Sequence, residues 1–478
     1  MRRIIKLLLY CVGAGLVLLI AGYFILGQVV RRKVDTVLQQ LPPSLHVTYV
    51  RLDVGLLSGS MVIHGLVVKF APLADSQHFH RMSLDLVTVQ GIRFWTLLSS
   101  KKLMVGRLAE EGGAAVLDHY LLEKNVPIPK VELPFTKAMI DRLEMRDMRV
   151  DVHYPISGAG EVVHLRGFVL QKNRLTVDTL RVLPALDKLE MGRRKGYQLD
   201  CIEASSEGLV VEGLDVPALL QKRLIADEIS VRRNTIYVFR DRRLPLEPGN
   251  KPMPAEWLRR LPVLVKVGKV KIGTTSFVYE EFPKKGDKTG VLKIVRLKGT
   301  IVPLINHPEK GDPAYLTMKM EGSLMGSGLV SATTRIPLRE GAPYEVEGAF
   351  HELDVTSLNP SAENLGNIHL ESGTLNSLAF WFTMDAEQAT GKIVGEYHHL
   401  VADKLKGNGG EKKVDKLKSF FLKKLIIPKD KDRSLPEVKR TGKVDYKRDP
   451  SRYFSYYLLH SLLVGVKSSF SLGFLLPG

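Results

Sequence analysis

The chain has 478 residues, of which 45% are hydrophobic and 25% are charged, and these proportions exclude wholesale disorder. Its two cysteines, Cys11 and Cys201, are too few for a disulfide framework or a thiolate metal cluster. The formal net charge of +18 predicts an anionic partner, for which phospholipid headgroups and nucleic acid are the two obvious classes.

The first predicted element is an uncleaved membrane anchor in residues 1–33. An uncharged run from Leu7 to Gly27 lies between basic residues and, at ~1.5 Å per residue, extends about 31 Å, the thickness of a bilayer core. The positive-inside rule barely discriminates between orientations here, but the short N-terminus favours a large domain outside. We expect a single-pass protein of a bacterial inner membrane, with most of the chain in the periplasm. The anchor candidates are Leu7, Leu16, Leu19, Ile20 and Phe24.

Residues 34–401 are predicted to be mainly β. Apolar and polar residues alternate in Leu45–Val54 and in Tyr315–Glu321, as a sheet with one buried face requires. Glycine and proline punctuate the chain throughout. Long amphipathic helices are scarce before residue 410.

A weak repeat is present in this β-rich part. Its template has apolar residues at offsets 0, 2, 7 and 9, with another at −3, and predicts a short strand, a bend and a second strand. Three copies contain Ile140, Leu143, Met145, Val150 and Val152; Ala226, Ile229, Val231, Ile236 and Val238; and Val267, Val270, Ile272, Phe277 and Tyr279. A poorer copy has Val105, Leu108, Ala115 and Leu117, with Glu110 at an apolar position. The repeat favours a stacked architecture, although a β-rich chain also produces such matches by chance.

The basic segment 402–448 holds 16 Lys or Arg against 7 Asp or Glu. The spacing of Val414, Leu417, Phe421 and Leu425 predicts an amphipathic helix surrounded by lysines, among them Lys413 and Lys424. Such a helix suits either the end of a sheet, which it would cap, or an anionic membrane surface. A second helix is predicted in residues 449–478, over Tyr453–Phe470, and is too short to span a bilayer.

No catalytic signature is found in the sequence. A phosphate-binding loop, a zinc-protease motif and a nucleophile elbow are all absent. His78 and His80 would share a strand face but lack a third ligand, so we expect surface histidines. His398 and His399 are adjacent and are expected to point to opposite faces of a strand. The sequence therefore predicts a protein that is not an enzyme, with no cofactor and no metal.

Four segments of the C-terminal third carry a resemblance. They are Gly348–Pro360 with "leucine–asparagine–proline", Leu370–Phe382 with "S-G-x-L", Gly391–Leu400 with "G-x-x-x-x-x-Y", and Gly442–Asp449 with an arginine–aspartate pair before the last helix. Their succession resembles the end of AsmA-like bacterial envelope proteins, which belong to the bridge-like lipid-transfer superfamily. The anchor and the segment from Leu261 to Ile272 are similar to that family as well.

The resemblance implies an elongated, curled β-sheet groove that binds phospholipid acyl chains and contributes to lipid transfer or outer-membrane homeostasis. An alternative function is a structural or assembly factor that holds an envelope protein partner, and nucleic acid is not expected as a partner. The candidate groove-lining residues are Leu143, Met145, Val150, Val152, Ile229, Val231, Ile236, Val238, Val270, Ile272, Phe277, Phe380 and Phe382. The candidate capping or membrane-surface helix contributes Lys413, Leu417, Phe421, Lys424 and Leu425.

Overall fold

The computed structural model describes most of the chain between residues 41 and 469. The described residues are 41–55, 58–72, 78–93, 96, 100, 102–124, 126–127, 137–153, 160–406, 413–414 and 440–469. The predicted anchor, with Leu7, Leu16, Leu19, Ile20 and Phe24, lies outside them. None of the helices that the structure describes is long and apolar enough to cross a bilayer.

The prediction of a mainly β protein is confirmed. The strands are β1 (Leu45–Thr48), β2 (Arg51–Gly55), β3 (Ser60–Phe70), β4 (His80–Gln90), β5 (Lys102–Asp118), β6 (Lys137–His153), β7 (Glu161–Gln171), β8 (Arg174–Pro184), β9 (Asp200–Glu212), β10 (Arg223–Asp241), β11 (Leu264–Phe282), β12 (Gly290–Val302), β13 (Leu304–Ile305), β14 (Tyr315–Leu324), β15 (Gly328–Pro337), β16 (Tyr344–Asp354), β17 (Ile368–Met384), β18 (Gln388–Lys406), β19 (Lys413–Val414) and β20 (Arg440–Lys447).

The described helices are short except for the last one. They are α1 (His119–Glu123), α2 (Lys188–Lys195), α3 (Val216–Leu220), α4 (Pro254–Arg259), a 3₁₀ turn (Val355–Leu358), α5 (Asn359–Gly366) and α6 (Phe454–Ser469). The predicted C-terminal helix, Tyr453–Phe470, is therefore confirmed as α6 to within one residue at each end.

The chain divides into two compact units. Unit 1 comprises Met1–Asp187, Ala204–Val231 and Pro262–Leu264, and unit 2 comprises Lys188–Glu203, Arg232–Leu261 and Val265–Gly478.

In unit 1 the poorer copy of the repeat, which contains Leu108, lies beside the copy that contains Leu143. Strands β3, β4 and β5 pair antiparallel in succession, and β6 to β9 do the same. Between these sets β5 and β6 run parallel, with Leu108 beside Leu143 and Leu117 beside Val152. The two copies are thus in register, and 35 residues separate the paired positions in both cases.

Each of these copies is one long strand with a break in its pairing. In an ideal strand, the odd spacing between Met145 and Val150 would place them on opposite faces. Both are buried, because regular pairing stops between Met145 and Met148 on β6 and at the same point on β5, and then resumes in an unchanged register. Gly112 lies in this break with φ +73°, a conformation that glycine adopts without steric cost. The predicted bend is therefore an interruption within a continuous strand.

In unit 2 the strands are antiparallel neighbours. From β11 the hydrogen-bonded order is β11, β12, β14, β15, β16, β17, β18 and β20, and short β13 pairs with the start of β11. Alternation along each strand leaves one face apolar, as the core residues Leu316, Val346 and Phe382 show.

Helix α6 packs onto the last strands of this sheet. Tyr457, Ser461 and Gly465 face the sheet and are buried, while Phe454, Leu458, Leu462 and Val466 pack against the core beside them. Small residues permit close approach, since a Cβ on Gly442 of β20 would collide with the backbone of the helix.

Residues Leu45–Val54 alternate as predicted and form two strands, β1 and β2, which both pair with β3; the chain bends at Val50, whose N–H donates to the His64 carbonyl. One sequence prediction is wrong in its local detail. Lys413 and Val414 form β19 against Leu405 and Lys406 of β18, because strand pairing there overrides the helical spacing. Leu417, Phe421, Lys424 and Leu425 lie outside the described residues.

Candidate functional site

The candidate site is the apolar face of the unit 2 sheet. Paired positions in antiparallel strands point to the same side. The register aligns Ile272 with Gly299, Gly299 with Met320, Met320 with Ala332, and so on through Gly348 to Phe380. A second row passes from Val270 through Ile301, Met318 and Thr334 to Val346 and Phe382. The sequence candidates Val270, Ile272, Phe380 and Phe382 therefore share one face.

Burial varies across this face. It is covered on β17 at Phe380 and Phe382, which are only 3% and 4% exposed. Across β11 to β16 a second group of apolar side chains remains half-buried. We call this group the open apolar patch, and it consists of Val270, Ile272, Phe277, Ile294, Ile301, Met318, Met320, Val330 and Phe350.

The patch lies over five strands, β11, β12, β14, β15 and β16. At ~4.8 Å between strands, its four spacings measure about 19 Å. Aromatic contacts fix its boundary, because the Phe350 ring lies 5.8 Å from the buried Phe380 ring. Side chains of this kind offer dispersion contacts and no reactive groups.

The alternate residues of the same strands carry polar side chains. Lys298 pairs with Glu321, and Glu347 pairs with Trp381, in the ladder. A cavity of about 720 Å³ is lined by Ile272, Lys298, Gly299, Thr300, Lys319, Met320, Glu321, Ser331, Ala332, Thr333, Glu347, Gly348, Phe380 and Trp381. The Lys392 ammonium lies 4.8 Å from the centre of the Trp381 ring. Ile272, Met320 and Phe380 of the apolar rows border this cavity, and most of its other side chains are charged or carry hydroxyl groups, unlike those of the apolar patch.

A partly buried ion pair supports the strands that precede the patch. The Arg240 guanidinium donates from Nε to Asp200 Oδ1 at 2.8 Å and from Nη2 to Asp200 Oδ2 at 2.7 Å. The same guanidinium lies 5.3 Å from the centre of the Tyr453 ring, just ahead of α6. Asp200 is the main charge that raises the pKa of Arg240, against the effect of burial, so the arginine stays ionised.

The groove candidates from the sequence fall into two groups by burial. Six are core residues, namely Leu143, Met145, Val150 and Val152 in unit 1 and Phe380 and Phe382 in unit 2. Seven are half-buried, namely Ile229, Val231, Ile236, Val238, Val270, Ile272 and Phe277. The second group retains surface that a ligand could contact. The sequence missed Ile294, Ile301, Met318 and Met320, although the alternation of β12 and β14 would have found them.

The histidines are not arranged as the sequence predicts. His80 is 6% exposed and accepts a hydrogen bond at Nδ1 from the Asp118 amide, so it is not a surface residue. Burial lowers its pKa to about 4, against the opposing charge of Asp118. The His398 and His399 rings lie 6.3 Å apart, because His399 has φ +51° and interrupts the alternation. Among the described residues, no group of three or more His, Cys, Asp or Glu is placed to hold a metal.

Hydrogen bonds of α5 join two of the segments that the sequence singled out, Gly348–Pro360 and Leu370–Phe382, and tie the helix to the sheet. Asn359 begins α5 and exchanges two hydrogen bonds with the Leu370 backbone, at 2.9 and 2.8 Å. Ser361 and Asn364 of α5 donate to the carbonyls of Val291 and Thr289, which fixes the helix at the start of β12. These residues therefore hold the end of the sheet that bears the patch.

Comparison with protein-family models and with curated proteins finds no match to this chain.

Proposed function

We propose that this protein is an AsmA-like, inner-membrane-anchored periplasmic protein that binds phospholipid acyl chains on the open apolar patch. In this proposal the sheet curls into a groove, and the protein contributes to lipid transfer or outer-membrane homeostasis. The observation that carries the proposal is the half-buried row from Val270 through Ile301 to Met318. It offers a continuous apolar surface while the alternate side chains are polar.

The energetics favour an acyl chain as the ligand. Burial of hydrocarbon contributes about 0.8 kcal/mol per CH₂, so about 15 methylenes contribute roughly 12 kcal/mol before the costs of binding. This gain requires no side chain of special chemistry. The net charge of +18 adds attraction to anionic headgroups and to the surface of an anionic membrane.

Lipid extraction from the full-length protein tests the proposal. The protein should be isolated from membranes without added lipid, washed, and extracted for mass spectrometry. We expect phospholipid at a fixed molar ratio after washing removes loosely held membrane lipid. Folded protein that carries no lipid beyond that of an unrelated single-pass protein prepared in parallel would contradict the proposal.

A second function, holding an envelope protein partner, is favoured by the outer side of α6. Leu459 and Leu463 are 50% and 40% exposed there, one helical turn apart. A partner that covers them would form a stoichiometric crosslink from this helix in intact cells. If position 459 gives no protein crosslink while lipid is recovered from the patch, this second function is excluded.

A further inference from the structure

Glu110 of unit 1 lies buried in an apolar row. It is paired in the sheet with Val87 of β4 and with Met145 of β6. Glu110 is 4% exposed, and within the described part of the chain neither of its carboxyl oxygens has a hydrogen-bond partner. Because an isolated carboxylate is very costly to bury, a group in this position takes up a proton.

The charges around Glu110 act in the same direction. Asp85 on β4, Glu111 on β5 and Asp147 on β6 contribute negative potential from each strand that flanks it. The Arg146 guanidinium of β6 forms an ion pair with Glu111. Burial, followed by these three carboxylates, raises the pKa of Glu110 to about 8.

Two glycines leave room for the carboxyl groups of Glu110 and Asp85. A Cβ on Gly113 would lie 2.7 Å from Glu110 Oε1, and one on Gly112 would lie 2.6 Å from Asp85 Oδ2. Both carboxyl groups therefore lie against the break in the pairing of β5. There Asp85 and Gly112 are not paired, although the residues on either side of them are. Because the ladder is interrupted at this point, it is a weak point at which the strands can separate.

We propose that Glu110 is a proton-operated switch: with its carboxyl group neutral, β4, β5 and β6 stay closed at this break in the pairing, and its ionisation opens them. The proton passes to solvent as the carboxylate reaches water. No ligand is required, and the inference does not depend on the proposed lipid binding.

The direction of the pH effect follows from proton linkage. In the open state Glu110 has its ordinary pKa of 4.5, whereas in the closed state it has a higher one. Opening thus releases one proton between these values, and the open fraction rises roughly tenfold per pH unit. The closed form is most stable at or below pH 4.5, and the effect levels off above the closed-state pKa.

Hydrogen–deuterium exchange of the full-length protein tests the switch. Exchange in residues 102–118 is compared between wild type and E110Q at pH 6 and pH 7, so that intrinsic exchange rates cancel in the ratio. We expect the ratio of wild-type to E110Q opening to increase roughly tenfold over this unit of pH. A ratio that does not change would overturn the proposal.

Two further measurements protect the test against a variant that fails to fold. In the wild-type protein, the infrared band of a protonated carboxyl should persist at pH 7, well above the range in which exposed carboxyl groups ionise. Complete loss of this band by pH 6 would overturn the proposal. In D147N, removal of a neighbouring negative charge should move the carboxyl titration to lower pH, and an unchanged midpoint would count against the role of these charges.

Discussion

Introducing a carboxylate at Ile301 is expected to remove lipid binding without unfolding the sheet. Ile301 is half-buried at the centre of the patch, between Val270 on β11 and Met318 on β14. A glutamate there would stay hydrated and would keep water against the acyl chain. If about four methylenes remain in contact with water, the loss is about 3 kcal/mol at ~0.8 kcal/mol per CH₂. This corresponds to roughly 100-fold weaker binding.

The neighbouring position provides a matched control. Thr300 is also half-buried on β12 but lies on the opposite side, between Lys271 and Lys319. T300E adds the same charge to the same strand in a favourable environment. The molar ratio of bound phospholipid, measured by mass spectrometry, should fall at least tenfold in I301E and stay unchanged in T300E. Equal lipid content in the two folded variants would refute the assignment of the patch.

Three further predictions concern the stability of unit 2, each measured as a denaturant midpoint followed by a unit 2 probe. D200N leaves the buried Arg240 charge without its carboxylate partner and should lower the stability of unit 2 by about 2 kcal/mol. This loss is smaller than that expected for a fully buried ion pair, because Asp200 is partly exposed. A change below about 0.5 kcal/mol would show that the ion pair is not needed. G442A places a methyl group against the backbone of α6 and should cost about 1–3 kcal/mol, accompanied by faster proteolysis of the helix; wild-type proteolysis would contradict this packing. F380A removes a buried ring and should cost about 3–5 kcal/mol, whereas W381A, on the opposite face, should cost under about 1 kcal/mol; similar losses would mean that the faces are wrongly assigned.

The sequence predicted the β architecture and part of the patch from alternation and spacing alone. The repeat template was informative because Leu108 and Leu143 are aligned neighbours in parallel strands. The break in pairing at Gly112 could not be predicted, since it depends on how adjacent strands align in three dimensions. Glu110 illustrates the same limit. Its position breaks the apolar template, but only the three-dimensional pairing shows that it is buried and without a partner.

Local spacing was a poor guide where pairing between distant residues decides the structure. Lys413 and Val414 fit a helical pattern, but they join the end of β18 as a short strand. His399 breaks the alternation of β18 through its positive φ, which no sequence signal marks. Which part of the apolar face is covered and which stays half-buried depends on where α4 and α6 pack against it. The positions of these helices depend on the three-dimensional arrangement of the whole sheet, which local sequence patterns do not show.

Photo-crosslinking in native membranes tests the central claim most directly. A photoreactive amino acid is placed at position 301 on the open apolar patch or at position 300 on the opposite side, in otherwise wild-type full-length protein. The account predicts phospholipid adducts from position 301, with at least tenfold fewer from position 300. Equal lipid labelling at the two positions, or protein adducts alone at position 301, would contradict it.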